Sequence, residues 1–265
     1  MPDLQKAAAL SWRAQIAGAC LPPAAGKGFL LAWFALALLL ALGVRTAHAE
    51  VAGAVESLSG TVVARAPDGT QRIIAQKSEV FEGELLATAS DSYVRVRFKD
   101  GGEITLRPNT QLRIETYKFR QDKPQEDNIL LNLLKGGLRT ITGLVGKRSP
   151  RVYRMDTITA TIGIRGTHYG ALLCQNDCGG LTRPDGSPLP NGLHLDVADG
   201  SILVSNDAGQ QVLEVNTFGF VRERTALPQV LPRELGIRVP ILEQHAPTGS
   251  RVPGAAPGIQ QECIL

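Results

Sequence analysis

Residues 93–107 constrain the fold most, because apolar and polar side chains alternate through them without a break. Val94, Val96 and Phe98 alternate with Arg95, Arg97 and Lys99; beyond Asp100-Gly101-Gly102, Ile104 and Leu106 alternate with Glu103, Thr105 and Arg107. A period of two belongs to a strand with one face in a core and the other in water, and the glycine pair predicts a hairpin. Similar runs recur along the chain. Residues 51–66 predict a strand pair broken at Ser59-Gly60, Asp68-Gly69 predicts a turn, and residues 112–117, 193–204 and 211–221 predict further strands. Residues 129–138 suit a buried strand or a short helix, and Gly136-Gly137 favours a strand with a bend. Aromatic residues make up only 5% of the chain, so many short strands rich in Val, Ile, Leu and Thr must build the core. The expected fold is all-β: short stacked strands and hairpins in a single solenoid- or sandwich-like domain.

Residues 157–170 read T-I-T-A-T-I-G-I-R-G-T-H-Y-G. Ile158, Ala160, Ile162 and Ile164 alternate with Thr157, Thr159, Thr161 and Gly163, which predicts one half-buried strand. Arg165 is the only charge between Asp156 and Asp177. With Gly166 and Thr167 it predicts a structural joint, in which the glycine permits a bend and the guanidinium satisfies carbonyls left unpaired. No nucleophile or acid–base pair is near in sequence, so a catalytic arginine is not favoured.

The motif Thr159-Ala160-Thr161-Ile162-Gly163-Ile164-Arg165-Gly166-Thr167 resembles the signature of the FecR-domain family. The order of Gly60-Thr61-Val62, Gly83-Glu84, the residue 98–102 hairpin, Leu138-Arg139 and an Asp199-Gly200-Ser201 hairpin is similar to that family over residues 51–221. Ile158 stands where the family commonly has proline, and His168 where it often has an acid. The resemblance implies a strand-rich module of envelope sensing and assembly. Its best-known members control a sigma factor through a cytoplasmic domain. Only residues 1–28 of this chain could fill that place, too few to bury a core, so sigma-factor control is not carried over.

Residues 29–44 form a sixteen-residue uncharged run, followed by Ala47-His48-Ala49, a small-residue cleavage pattern. The run is shorter than the roughly 20 residues that span a bilayer. Residues 1–49 are therefore expected to be a signal peptide, with a mature periplasmic chain from Glu50. The alternative is an uncleaved inner-membrane anchor over residues 29–44, which would make the protein a signalling subunit relaying to a separate cytoplasmic partner. Of 28 Lys and Arg and 25 Asp and Glu, residues 1–49 hold four bases and one acid, so 24 of each remain. A balanced remainder does not suggest nucleic-acid binding. Residues 50–225 are expected to form the β domain. Residues 226–265 are expected to be a Pro- and Gly-rich tail, partly disordered, which lies on the domain near residues 235–242 at most.

Cys174 and Cys178 open a long Gly- and Pro-rich loop, and in an exported chain a disulfide between them is the default. The rivals are a zinc site in which His168 and His194 join the two thiolates, and, less in keeping with the spacing, a redox-active pair. Cys263 is left over. From Lys135 to Arg154 there are six bases and no acid: Lys135, Arg139, Lys147, Arg148, Arg151 and Arg154. A solvated loop and strand face accounts for them, and a contact for an anionic partner is the sharper reading. Asp91, Asp100, Asp196 and Asp199 suit turn positions. No nucleophile elbow or phosphate-cradling loop is present. The sequence thus points to a non-enzymatic module without a cofactor that binds an envelope protein or polymer.

Overall fold

The computed structural model describes residues 49–240. The expected cleavage and anchor segment, His245, Cys263 and the end of the tail lie outside the described residues. The chain first forms β1 (Val51–Ser59), β2 (Val62–Arg65), β3 (Gln71–Ile73), β4 (Glu79–Phe81) and β5 (Leu85–Thr88). Then come β6 (Tyr93–Phe98), β7 (Glu103–Leu106), β8 (Gln111–Lys118) and the long β9 (Asn128–Ile141). A one-turn helix α1 (Leu144–Arg148) precedes β10 (Tyr153–Thr157), β11 (Thr161–Cys174) and β12 (Gly192–Asn206). β13 (Gly209–Glu214), β14 (Phe218–Val221) and β15 (Gln229–Leu231) complete the described order. The domain is all-β, as the alternation requires. The sheet continues past residue 225, since β15 pairs with β14. Among the described residues no helix is long and apolar enough to cross a membrane.

All the strands belong to one sheet, with the main order β15-β14-β12-β11-β10-β9-β7-β6-β1-β4 and side branches through β2, β3, β5, β8 and β13. The inward residues of the alternating runs, among them Val94, Val96, Ile104, Leu106, Ile162 and Val204, meet in a single apolar cluster. Their outward neighbours face solvent or the sheet rim.

Three long strands organise this sheet, and each bends at a glycine. β9 bends at Gly136, as its glycine pair predicts, β11 at Gly166 and β12 at Gly200. The bends let the strands exchange partners. Residues 161–163 of β11 pair with β10, whereas residues 168–173 pair with β9. Residues 193–196 of β12 pair with β14, and residues 201–206 with β13. The bend of β12 corrects one expectation: Asp199-Gly200-Ser201 is a bulge within a continuous strand, not a hairpin.

Candidate functional site

The predicted single strand is divided: Thr157 ends β10, and residues 158–160 close the hairpin between β10 and β11. The Thr157 hydroxyl accepts from the Ala160 amide (3.0 Å) and also approaches the Thr159 amide (3.2 Å) and the Ala160 carbonyl (2.9 Å). Thr157 N–H also donates to the Ala160 carbonyl at 2.9 Å. Such local side-chain bonds offer the backbone an alternative to the ladder, which is why the Thr-x-Thr-Ala run turns. Ile158 is 53% exposed at the tip, while Ala160 and Ile162 are buried.

Gly166 bends β11 with φ +55, and opposite it Gly200 has φ +72. Arg165 pairs with Ser201 and His168 with Asp199, so Gly166 and Thr167 bulge out against Gly200. The strand bends at Gly166, and the contacts that close the bend differ from expectation. Thr142 takes the role assigned to Arg165: its N–H donates to the Thr167 carbonyl at 3.0 Å, and its hydroxyl accepts from the Thr167 amide at 2.8 Å. Alternation aims Arg165 away from the core, and its guanidinium stands exposed. Among the described residues it makes no hydrogen bond or ion pair.

The six bases of residues 135–154 separate into distinct environments. Arg139 is buried against Asp196, Arg148 forks onto Asp127, and Lys135 approaches Asp177 at 3.5 Å. Lys147 lies exposed on α1. Arg151 and Arg154 are exposed and, among the described residues, without an ion-pair partner. These two meet Arg165 around a groove of about 650 Å³ on the outer face of β10–β13. Register explains its floor. Arg154, Gly163, Leu203 and Val212 lie side by side in one row across four strands, and all line the groove. Arg165 sits two residues along from Gly163, beside Ser201, and Arg151 comes from the 3₁₀ turn Pro150–Val152.

Cys174 and Cys178 are joined by a disulfide at the end of β11, so neither thiol is available as a zinc ligand. The histidines are held elsewhere. His194 is buried on the Phe220 ring and its Nε2 donates to the Pro190 carbonyl at 2.8 Å. Burial lowers its pKa. His168 Nε2 lies 3.3 Å from Arg139, and burial together with the Arg139 charge lowers its pKa as well. Among the described residues no three His, Cys, Asp or Glu side chains gather as a metal site.

Asp196 is not a turn residue but lies within β12, whereas Asp100 keeps its turn position in the hairpin and is buried there. Asp196 accepts from Arg139 and, at 2.8 Å, from the Val239 amide, which fastens the segment after β15 to the domain. Asp100 is buried in its hairpin, where it accepts from the Tyr117 hydroxyl at 2.5 Å and from the Gly102 and Val145 amides. Burial, then the Asp100 charge, raises the Tyr117 pKa.

Residues 84–180 match the family model described as FecR protein. That span holds all three groove arginines, whereas Leu203 and Val212 lie beyond it. Two crystal structures of a proposed anti-sigma factor from Parabacteroides distasonis align at 14% identity, over 57% of this chain and 60% of theirs, with TM-scores of 0.43 and 0.42. The chain thus covers less than two thirds of their length. A cell surface anchoring domain aligns at 22% identity over 23% of this chain and 82% of its own, with a TM-score of 0.23. No curated protein matches the chain.

Proposed function

With residues 84–180 a FecR domain, we propose that this chain is a non-enzymatic, exported envelope module that senses or scaffolds by binding a protein or envelope component. The periplasm is its proposed compartment, in keeping with the Ala47-x-Ala49 pattern and with the disulfide. The observation that carries the binding role is the gathering of Arg151, Arg154 and Arg165 around one outward groove. Charges that stabilised the fold would be paired, as Arg139 and Arg148 are. The buried titratable groups support a structural interior: Asp100, Asp196, His194 and Tyr117 each hold a neighbouring strand or segment in place.

The test is a pull-down from cross-linked envelope with the wild-type chain and with Arg151→Ser/Arg154→Ser/Arg165→Ser. The reading expects a discrete envelope component on the wild type and its loss from the triple variant. Equal capture by both would remove the groove from the account.

A further inference from the structure

The groove itself indicates what it takes. Gly163, third in β11, is paired on both sides within the sheet, where glycine weakens the ladder and removes a side chain from packing. Nothing local demands it: its φ is not positive, and among the described residues an added Cβ would meet nothing nearer than the Leu203 carbonyl at 3.8 Å. What glycine does here is leave the floor bare between Arg154 and Leu203. One side of that floor is cationic, with Arg154 and Arg165, and the other is apolar, with Leu203 and Val212 exposed by 40% and 46%. Among the described residues, the two carboxylates nearest in register form no ion pair with either arginine. Asp156 accepts from Thr161 at 2.7 Å, and Glu214, across Ser201 from Arg165, forms no ion pair among the described residues.

Resting on the binding role proposed above, we infer that this groove receives an extended acidic protein segment, with carboxylates on the arginines and apolar side chains on Leu203 and Val212. Arginine's planar fork matches a carboxylate at two points. Arg154 and Arg165 project from adjacent strands two residues apart in register, a Cα separation of roughly 8 Å. That is close to the roughly 7 Å between alternate side chains of an extended peptide, so consecutive outward carboxylates of one segment can meet both. The bare floor at Gly163 admits the segment's backbone.

The test titrates the folded exported domain with a short synthetic peptide in which Glu alternates with Val and Thr. Controls are the same peptide with Gln for Glu, and vesicles bearing lipopolysaccharide. Fluorescence anisotropy should show salt-sensitive binding of the Glu peptide only. Arg154→Ser or Arg165→Ser should each weaken it about five-fold, as for single partly exposed ion pairs. Lys147→Ser, off the groove, should leave it unchanged. Gly163→Val should melt no lower than wild type, because a β-branched residue fits this open strand site, and should still abolish binding. Binding that survives Gly163→Val or the arginine changes would overturn the site. Vesicle binding without peptide binding would overturn the peptide class. If envelope capture depends on the arginines while the peptide fails, only the acidic-segment assignment falls. If neither depends on them, the binding role falls with it.

Discussion

Arg139 and Asp196 face each other inside the sheet with Nη2 2.5 Å from Oδ2, their side chains only 7% and 2% exposed. They come from β9 and β12, with β11 between them. Both pair in register with Gly170, whose missing side chain gives the bond its path: a Cβ there would stand 2.3 Å from the Asp196 carboxylate. The pair also fastens Val239, which donates to Asp196 and accepts from Arg139 at 3.4 Å. The pair lies on the sheet face away from the main core and is buried there beneath the Val239 segment.

Asp196→Leu should therefore cost about 3–5 kcal/mol, because it strands a buried guanidinium. Arg139→Met/Asp196→Leu should recover much of that loss, since replacing both charges removes the stranded one. Urea unfolding measures both. Limited proteolysis of Asp196→Leu should also show new cleavage within residues 232–240.

The two facing bends should respond differently to one methyl group. At Gly166 an added Cβ meets none of the described residues within 4 Å, so Gly166→Ala carries only the left-handed penalty of about 1–2 kcal/mol. At Gly200 the Cβ would lie 2.2 Å from the Gly166 carbonyl oxygen in addition to φ +72, so Gly200→Ala should cost roughly 2–5 kcal/mol. Equal melting shifts in the two variants would refute the double-bulge joint.

Acid should weaken the domain through its histidines. Both His168 and His194 have pKa values lowered by burial, so well above about pH 6.5 folded and unfolded chains are alike neutral at these sites. Below that the unfolded chain takes up protons first, and stability falls as pH drops toward the lower folded values. His194 should dominate: among the described residues its Nδ1 has no partner, so a proton there would place a buried charge without an acceptor. His194→Gln should flatten the fall in melting temperature between about pH 6.5 and 5.

Much of this architecture was legible because strand alternation is a local signal. The residue 93–107 hairpin, the bend at Gly136 and the Cys174–Cys178 bridge all follow from neighbours in sequence. Readings failed where a local pattern has two meanings. Thr157-Ile158-Thr159-Ala160 alternates like a strand, yet its threonines bond to their own turn. Asp196 resembled a turn residue because Asp199-Gly200 follows it, and only register brings it to Arg139. The six bases looked like one patch, whereas their separate fates depend on strands distant in sequence. Arg165 joins Arg151 and Arg154 only because β11 folds back on β10. Helix α1 is a single turn around Gly146, too short for a helical period to show.

The disulfide should prove local. Loop closure over so few residues contributes about 2 kcal/mol at most in the chain-entropy account. The loop has other anchors, including Asn176 with Asn191 and Lys135 with Asp177. Cys174→Ser/Cys178→Ser should thus fold and unfold cooperatively with a modestly lower midpoint, and should be nicked faster between residues 179 and 191. Loss of the folded state would make the bridge a staple of the core.

That the outer face of β10–β13 is where a partner binds is tested most directly by photo-cross-linking in intact cells. A photoreactive side chain replaces Val212 at the groove or Ile73, 77% exposed on β3. The account predicts a discrete protein adduct from position 212, absent when Arg154→Ser and Arg165→Ser are added, and none from position 73. An adduct from position 73 with none from position 212 would contradict it.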